Sequence, residues 1–338
     1  MQSPRALGFR MPAEWEPHEA TWIAWPHNRE DWPGRFAPIP WVYGEIVRKL
    51  AKVERVRILV EDGGEEQSAR RILKKVGADL DAVEFFVFPT DRVWTRDYCP
   101  LFVRKREGEI AITNWHFNGW AKYDNWKKDD AIPGQLARLL KMRQWRPGLV
   151  LEGGSIDVNG RGLLLTTEEC LLSPIQARNP GLTRAQIERA LRDYLGVRKI
   201  IWLRNGITGD DTHGHIDDLA RFISPDTVVI ASENDKSDPN FEPLRENLAL
   251  LRAQPLRVVK LPMPRPVIFA GQRLPASYAN FYIANKLVLI PTFNDPNDRV
   301  ALSTLARLFP DREVAGIHAT ELVWGLGTLH CMTQQQPK

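Results

Sequence analysis

The stretch LHCMTQQQP (329–337) contains a cysteine, Cys331, with a chemically useful thiol. A thiol attacks as the thiolate, so it needs a nearby positive charge or a base. The adjacent His330 is a poor partner on an extended chain, because neighbouring side chains there point to opposite faces. Cys331 therefore needs a distant partner or a cationic substrate. The alternative is a buried, inert thiol.

The segment GDDTHGHIDD (209–218) is crowded with histidines and aspartates. In an extended chain, His213, His215 and Asp217 would share one face. Two histidines and a carboxylate can bind zinc or a similar ion. A histidine beside a carboxylate can instead act as a general acid and base. A solvated loop is a third interpretation, although apolar residues follow directly.

Two further stretches place carboxylates at turns. Asp97 follows Arg96 in VWTRDYCP (93–100), shortly after an apolar run, and Trp94 stands beside them. Glu152 precedes two glycines in LEGGSIDVNG (151–160), where the backbone can turn sharply or approach another group closely. Each stretch alone is also consistent with a surface ion pair or an ordinary turn.

Composition limits the function classes. The chain has 338 residues, of which 43% are hydrophobic, and its 46 basic and 42 acidic residues give a net charge of +4. This balance favours a globular protein over a nucleic-acid binder. We find neither a signal-peptide pattern nor a membrane-spanning run, which predicts a cytoplasmic protein without membrane contact. The widely spaced Cys99, Cys170 and Cys331 indicate reduced thiols rather than disulfides.

Apolar periodicity predicts strands and helices mixed along the chain. Predicted strands cover 21–25, 55–60, 83–88, 111–117, 162–167, 199–203, 227–232, 256–261 and 288–293. Predicted helices cover 41–52, 65–76, 130–142, 183–194, 242–252 and 299–308, and hairpins turn at 225–226 and 285–286. About five such units recur without a linker, so we predict one α/β domain over residues 1–338.

Taken together, these side chains suit chemistry on a planar cation. Carboxylates pair well with a guanidinium, whose donors form a rigid fork. A cysteine can attack the central carbon of a guanidinium. A histidine can protonate the departing ammonia and then take a proton from water.

An ordered set of motifs resembles one known family. The motifs are MPAEWEPHEATWIAWP (11–26), WTRD (94–97), FNGW (117–120), LEGGSI (151–156), THGHID (212–217), NFYIAN (280–285) and LHCMTQQQP. They resemble the agmatine deiminase and bacterial (Porphyromonas-type) peptidyl-arginine deiminase family of the guanidino-modifying (pentein) superfamily. The resemblance covers nearly the whole chain.

The resemblance implies a role for each matching position. Cys331 would be the nucleophile that forms a covalent thiouronium intermediate, and His215 the general acid and base. Asp97, Asp217 and Glu152 would hold the guanidinium. Trp94 and Asn280 would line the substrate site, and His213 would support the site from behind. The resemblance implies no metal and no organic cofactor.

The implied fold is a five-bladed, pseudosymmetric α/β propeller of ββαβ units, which often forms homo-oligomers. The implied reaction converts agmatine and water into N-carbamoylputrescine and ammonia, a step of putrescine and polyamine synthesis. Deimination of peptidyl arginine to citrulline is the first alternative. A metal-dependent amidohydrolase that uses His213, His215 and Asp217, and a non-catalytic guanidine-binding protein, are more distant ones.

Two features leave the substrate tail open. Tyr98 and Cys99 stand where the family has small residues, so the pocket wall is expected to differ. A terminal amine needs an anion or an aromatic face, whereas a terminal carboxylate needs a cation. Lys122 and Asp124 offer both charges after FNGW. The absence of a signal peptide favours a small cytosolic substrate, which ranks agmatine first.

Overall fold

The computed structural model describes residues 2–338, which form eighteen strands and eight α-helices. The strands are β1 (His18–Ala24), β2 (Arg55–Val60), β3 (Val83–Val87), β4 (Leu101–Arg104), β5 (Ile110–Thr113), β6 (Gln144–Trp145), β7 (Asp157–Val158), β8 (Leu163–Thr167), β9 (Lys199–Leu203), β10 (Ala220–Ser224), β11 (Thr227–Ser232), β12 (Arg257–Pro262), β13 (Ile268–Phe269), β14 (Gln272–Arg273), β15 (Tyr282–Ala284), β16 (Leu287–Thr292), β17 (Glu313–His318) and β18 (Gln334–Pro337). The helices are α1 (Ile39–Leu50), α2 (Gly63–Val76), α3 (Thr95–Tyr98), α4 (Lys127–Leu139), α5 (Glu168–Leu172), α6 (Arg184–Leu195), α7 (Phe241–Arg252) and α8 (Pro296–Leu308).

Five sheets repeat one pattern around the molecule. Their strand orders are β18-β1-β2-β3, β4-β5-β6, β7-β8-β9, β10-β11-β12 and β15-β16-β17. In every sheet the first pair is antiparallel and the later pairs are parallel. A helix connects the parallel strands, as parallel pairing requires. The predicted five-bladed α/β propeller of the pentein type is therefore confirmed.

The first sheet joins the two ends of the chain. Strand β18, near the C-terminus, pairs antiparallel with β1, near the N-terminus. Trp22 Nε1 in β1 donates a hydrogen bond to Gln336 Oε1 in β18. This pairing closes the ring and holds the segment that precedes β18 at the centre.

Local sequence accounts for the helices. Helix α6 begins with a capping box between Thr183 and Gln186 and ends at Gly196, whose φ is 69°. Apolar positions at helical spacing bury one face of each long helix against its sheet. All six predicted helices and both predicted hairpin turns are confirmed, with boundaries that shift by a few residues.

Three predictions of extended chain are wrong. The strand predicted for 111–117 ends at Thr113, because the chain then turns and the Phe117 amide donates to Asp130. The THGHID segment is not extended, since His213 has a φ of 62° and Ile216–Asp218 form a 3-10 turn. Cys331 lies in a turn, and the last strand starts only at Gln334.

The apolar runs of the sequence did not predict the short strands and the edge strands. Strand β17 alternates between buried and exposed residues and includes Gly316, so it lacks a continuous apolar run.

Within residues 2–338, no helix has the length and apolar character that a membrane span requires.

Candidate active site

The predicted site residues occupy equivalent places in five different blades. Each lies in the segment that leads into the first strand of its blade. They are Asp97 before β4, Glu152 before β7, His215 and Asp217 before β10, Asn280 before β15 and Cys331 before β18. Pseudosymmetry thus brings residues from distant parts of the chain to one centre.

Glycines allow these segments to approach one another. A Cβ on Gly154 would lie 2.6 Å from His215 Nδ1 and 2.8 Å from Asp97 Oδ1. The Gly154 amide instead donates a 3.0 Å hydrogen bond to Asp97 Oδ1. The paired glycines of LEGGSI therefore provide the close backbone approach that the sequence indicated.

His215 lies among three carboxylates. Its Nδ1 is 3.8 Å from Asp97 Oδ1 and 3.9 Å from Asp217 Oδ1, and its Nε2 is 3.7 Å from Glu152 Oε2. All four side chains are buried. Burial disfavours the imidazolium, but Asp97 and its neighbours outweigh burial and raise the pKa of His215 well above its usual value.

The three carboxylates differ in ionisation. Burial raises the pKa of Asp97 to about 6, while His215 opposes the shift and Asp217 adds to it. Burial acts on Glu152 as well, but Arg178 and His215 outweigh it and hold the pKa of Glu152 at about 2. Burial is likewise outweighed at Asp217, where a hydrogen bond from His330 lowers the pKa. The site therefore carries negative charge at neutral pH.

Cys331 is held beside this cluster by Asn280. Asn280 Nδ2 lies 3.1 Å from Cys331 Sγ, and Asn280 Oδ1 accepts hydrogen bonds from Thr328 and the His330 amide. Cys331 Sγ is 3.7 Å from Asp217 Oδ2. Burial and the nearby carboxylates raise the pKa of the Cys331 thiol well above its usual range. Without a cationic ligand, Cys331 is therefore a neutral thiol.

Several buried polar atoms face one another unpaired. Within residues 2–338, Glu152 Oε2, Asp217 Oδ1 and both ring nitrogens of His215 have no hydrogen-bond partner. Unpaired buried polar atoms are costly, so a folded protein retains them where a ligand uses them. A guanidinium supplies the donors that the carboxylate oxygens lack.

A cavity of about 350 Å³ leads to Asp97 and Cys331. Its wall includes the aromatic side chains Trp94, Trp120 and Tyr123 and the backbone of Gly325, Leu326 and Gly327. The carboxylates that line it are Glu30, Asp31, Asp97 and Asp211, and its single lining cation among residues 2–338 is Arg92. The predicted position of Trp94 beside the substrate channel is consistent with this wall.

The cations near the cavity are already paired. Arg92 pairs with Asp31 and donates to Asn125, and its guanidinium carbon lies 4.2 Å from the centre of the Tyr123 ring. Lys122 forms an ion pair with Asp211. These pairs offset two of the four lining carboxylates, and the lining stays negative through Glu30 and Asp97, which have no Lys or Arg partner within residues 2–338.

Tyr98 and Cys99 lie behind the cavity wall and do not line it. Both are buried in the core, and Tyr98 Oη donates to the Arg92 carbonyl oxygen. Neither residue is therefore itself part of the pocket wall. Asp124 does not line the cavity either, whereas its neighbour Tyr123 does.

His213 does not join a metal site with His215 and Asp217. Because its backbone is left-handed, its ring turns to Ser173 Oγ at 3.1 Å and to Glu169 at 3.8 Å. The HxH ligand set is thus not assembled, and His213 does not support the site as expected.

Two other groups of buried side chains with possible metal-ligand atoms occur within residues 2–338. They are Glu152 with Cys170 and His215, and Asp217 with Asp218 and Cys331. In the first group, Arg178 donates a hydrogen bond to Glu152 Oε1 at 3.0 Å. The second contains the candidate nucleophile.

Sequence reasoning missed several residues of the site. Trp120 Nε1 donates a 2.9 Å hydrogen bond to Asp97 Oδ2, although only its motif FNGW was noted. Arg178 had no local signal at all. His330 was considered only as a partner for Cys331, whereas the chain turns there and its Nδ1 lies 2.7 Å from Asp217 Oδ2.

Comparisons with known proteins point to one family. The family model described as Porphyromonas-type peptidyl-arginine deiminase matches residues 10–337. The chain is 37% identical to agmatine deiminase from Pseudomonas aeruginosa (strain LESB58), over 99% of this chain and 97% of that protein. The crystallised agmatine deiminase of Enterococcus faecalis superposes with a TM-score of 0.93 at 33% identity, covering 100% of this chain and 98% of that chain.

A third solved structure is that of a cysteine-to-serine variant of C. jejuni agmatine deiminase with substrate bound. It gives a TM-score of 0.90 at 31% identity and covers 98% of this chain and 96% of that chain. A family model that spans almost the whole chain, together with relatives above 30% identity, decides the classification. The chain belongs to the Porphyromonas-type peptidyl-arginine deiminase family.

Proposed function

We propose that this protein is an agmatine deiminase, which hydrolyses agmatine to N-carbamoylputrescine and ammonia in putrescine synthesis. One observation carries the choice of substrate. Of the four carboxylates that line the cavity, Asp31 is paired with Arg92 and Asp211 with Lys122, whereas Glu30 and Asp97 have no Lys or Arg partner within residues 2–338. This negative channel favours the terminal ammonium of agmatine and disfavours the carboxylate of a C-terminal arginine.

The substrate cation activates the nucleophile in this account. The guanidinium rests between Asp97, Glu152 and Asp217, and the unpaired oxygens of Glu152 and Asp217 accept its N–H donors. Its positive charge offsets the carboxylates that raise the pKa of Cys331, and the thiol proton leaves to water through the cavity that reaches Cys331. The thiolate then bonds to the guanidinium carbon.

His215 moves the protons. Its imidazolium gives a proton to the departing nitrogen, so that the C–N bond breaks and ammonia leaves a thiouronium on Cys331. The neutral ring next takes a proton from water, and the resulting hydroxide attacks the same carbon. As the C–S bond breaks, the proton of the added hydroxyl group passes to the Cys331 sulfur, the ureido product leaves, and the site again holds a neutral thiol and a protonated His215. Asn280 and Trp94 position the thiol and the substrate chain.

The whole chain forms one catalytic domain in this proposal, since the site takes residues from all five blades. We also propose a cytoplasmic enzyme that acts on a small molecule. Homo-oligomeric assembly stays a prediction.

An ammonia-release assay tests the proposal across agmatine, free arginine, and peptides with internal or C-terminal arginine. Agmatine is expected to give the highest kcat/KM by a wide margin. Preference for a C-terminal arginine would overturn the choice of substrate. Release from none of them, by folded protein with reduced Cys331, would overturn the deiminase proposal itself.

A further inference from the structure

His330 lies between two carboxylates beneath the site. Its Nδ1 is 2.7 Å from Asp217 Oδ2, and its Nε2 is 2.8 Å from Glu14 Oε2. Its side chain is 2% exposed, so water cannot take the place of either partner. Each short contact requires a proton between nitrogen and oxygen.

Glu14 is held as an anion. Burial favours its neutral form, but Arg221, His330 and Arg96 outweigh burial and lower the pKa of Glu14 well below its usual value. Arg221 lies 2.9 Å from Glu14 Oε2, and the Ile283 amide donates to Glu14 Oε1 at 2.8 Å. The proton in the Glu14 contact therefore belongs to His330 Nε2.

Asp217 has one oxygen committed to His330 and one free. Oδ2 meets His330, whereas Oδ1 is unpaired and faces His215. Holding guanidinium donors requires Asp217 as a carboxylate, so the proton in the second contact belongs to His330 Nδ1.

Opposing charges act on this imidazole. Burial, Arg221 and Arg96 lower the pKa of His330 below its usual value, and Glu14 and Asp217 oppose this shift only in part, so the charges around the ring and its two short contacts point in opposite directions. A neutral ring would place a nitrogen lone pair against an anionic oxygen in one of the two short contacts. The geometry therefore favours two N–H groups over one.

We propose that His330 is a buried imidazolium that clamps Asp217 Oδ2, so that Oδ1 stays aimed at the substrate guanidinium. His330 and Glu14 are then positioning residues for the reaction. The protonation of His330 is argued from its two short contacts and the anionic state of Glu14, whereas the anionic state of Asp217 and the role toward substrate rest on the proposed deiminase function.

Neutron diffraction from crystals of the deuterated wild-type protein near pH 7 tests the protonation directly. Deuterium is expected on both ring nitrogens of His330 and on neither Glu14 nor Asp217. Deuterium on only one ring nitrogen would overturn the proposal. This outcome does not depend on any activity, so it is separable from failure of the proposed function.

The Glu14→Gln variant tests the positioning role. Losing this charge makes the His330 imidazolium easier to deprotonate, so the high-pH limb of kcat/KM should move to lower pH. KM for agmatine should rise by about tenfold, a typical effect of one lost charged hydrogen bond. A wild-type pH profile in folded Glu14→Gln protein would contradict the role.

Glu54→Gln is the matched control. Glu54 is also a buried carboxylate facing a histidine, since His18 Nδ1 lies 3.3 Å away, but its partners are Thr21 and Asn285 rather than site residues. The pH profile of this variant should equal that of the wild type. An equal shift in both variants would indicate general destabilisation and refute a specific role of Glu14.

Discussion

The ionisation of Asp97 sets the expected acid limit of activity. Its carboxylate must be charged to hold a guanidinium, and burial raises its pKa to about 6. The ionised fraction therefore falls as the pH drops through this value. We expect kcat/KM for agmatine to decline below about pH 6, which a pH–rate profile measures.

Trp120→Phe should move this limb to higher pH. The indole N–H stabilises the charged form of Asp97, so its removal raises the pKa of that carboxyl further. Trp115→Phe is the control, because Trp115 is also buried but donates to Thr113. A limb unchanged by Trp120→Phe, or moved equally by both variants, would contradict the assignment.

The thiol of Cys331 should titrate late in the free enzyme. Burial and three aspartates raise its pKa well above the usual value. Ultraviolet titration of thiolate, taken as wild type minus Cys331→Ser, should show no Cys331 thiolate at pH 7. Thiolate at pH 7 without ligand would mean that the substrate cation is not needed for activation.

At the scale of single residues, the sequence motifs predicted most of the residues of the candidate site. Polar stretches that packing does not require contain five of its residues: Cys331, His215, Asp97, Asp217 and Glu152. Glu14 and Arg178 could not be found this way, because their partners lie far away in sequence, at His330 and Glu152. Only the fold brings those pairs together.

At the scale of elements, the turns before each first strand position the chemistry. Gly154→Ala should abolish turnover, because a Cβ there would lie within 3.1 Å of His215, Asp97 and Asp217 side-chain oxygens and nitrogens. The protein should still fold, since the clash is confined to the cavity end of one turn. Steady-state kinetics and circular dichroism measure the two effects.

Gly63→Ala provides the control for this substitution. Gly63 begins helix α2, and a Cβ there meets nothing within 4 Å. Its activity should equal that of the wild type. An active Gly154→Ala enzyme would show that the close approach of these segments is not needed.

Helices could be predicted well, whereas these turns could not. Amphipathic spacing and caps such as Thr183 are local signals. The positive φ of His213 and the 3-10 turns at Glu152 and His215 depend on contacts between blades. The prediction of an extended chain in this segment therefore wrongly placed His213 on the same face as His215 and Asp217.

At the scale of the whole molecule, ring closure by β18 supports the site. Gln336 accepts hydrogen bonds from Trp22 and Arg57 across the joint of the two chain ends. Gln336→Ala should lower the free energy of unfolding by about 1–3 kcal/mol, because buried donors lose their acceptor. Urea unfolding measures the change.

The control for ring closure is Gln254→Ala. Gln254 accepts from Lys199 at an exposed position, so the expected change is below about 0.5 kcal/mol. Equal destabilisation by both variants would argue against a special role of the pairing between the two chain ends.

The sequence indicated five units, but the closure of the ring followed from the resemblance, since β18 is a glutamine-rich strand without an apolar run.

The covalent intermediate on Cys331 is the most direct test of the proposed chemistry. Agmatine is mixed with enzyme, quenched in acid and analysed by peptide mass spectrometry, in wild type, His215→Ala and His213→Ala. The account predicts an adduct of agmatine minus ammonia on the Cys331 peptide in the wild type and in His213→Ala, and severe loss of turnover only in His215→Ala. Turnover retained by Cys331→Ala, with no adduct in the wild type, would contradict it.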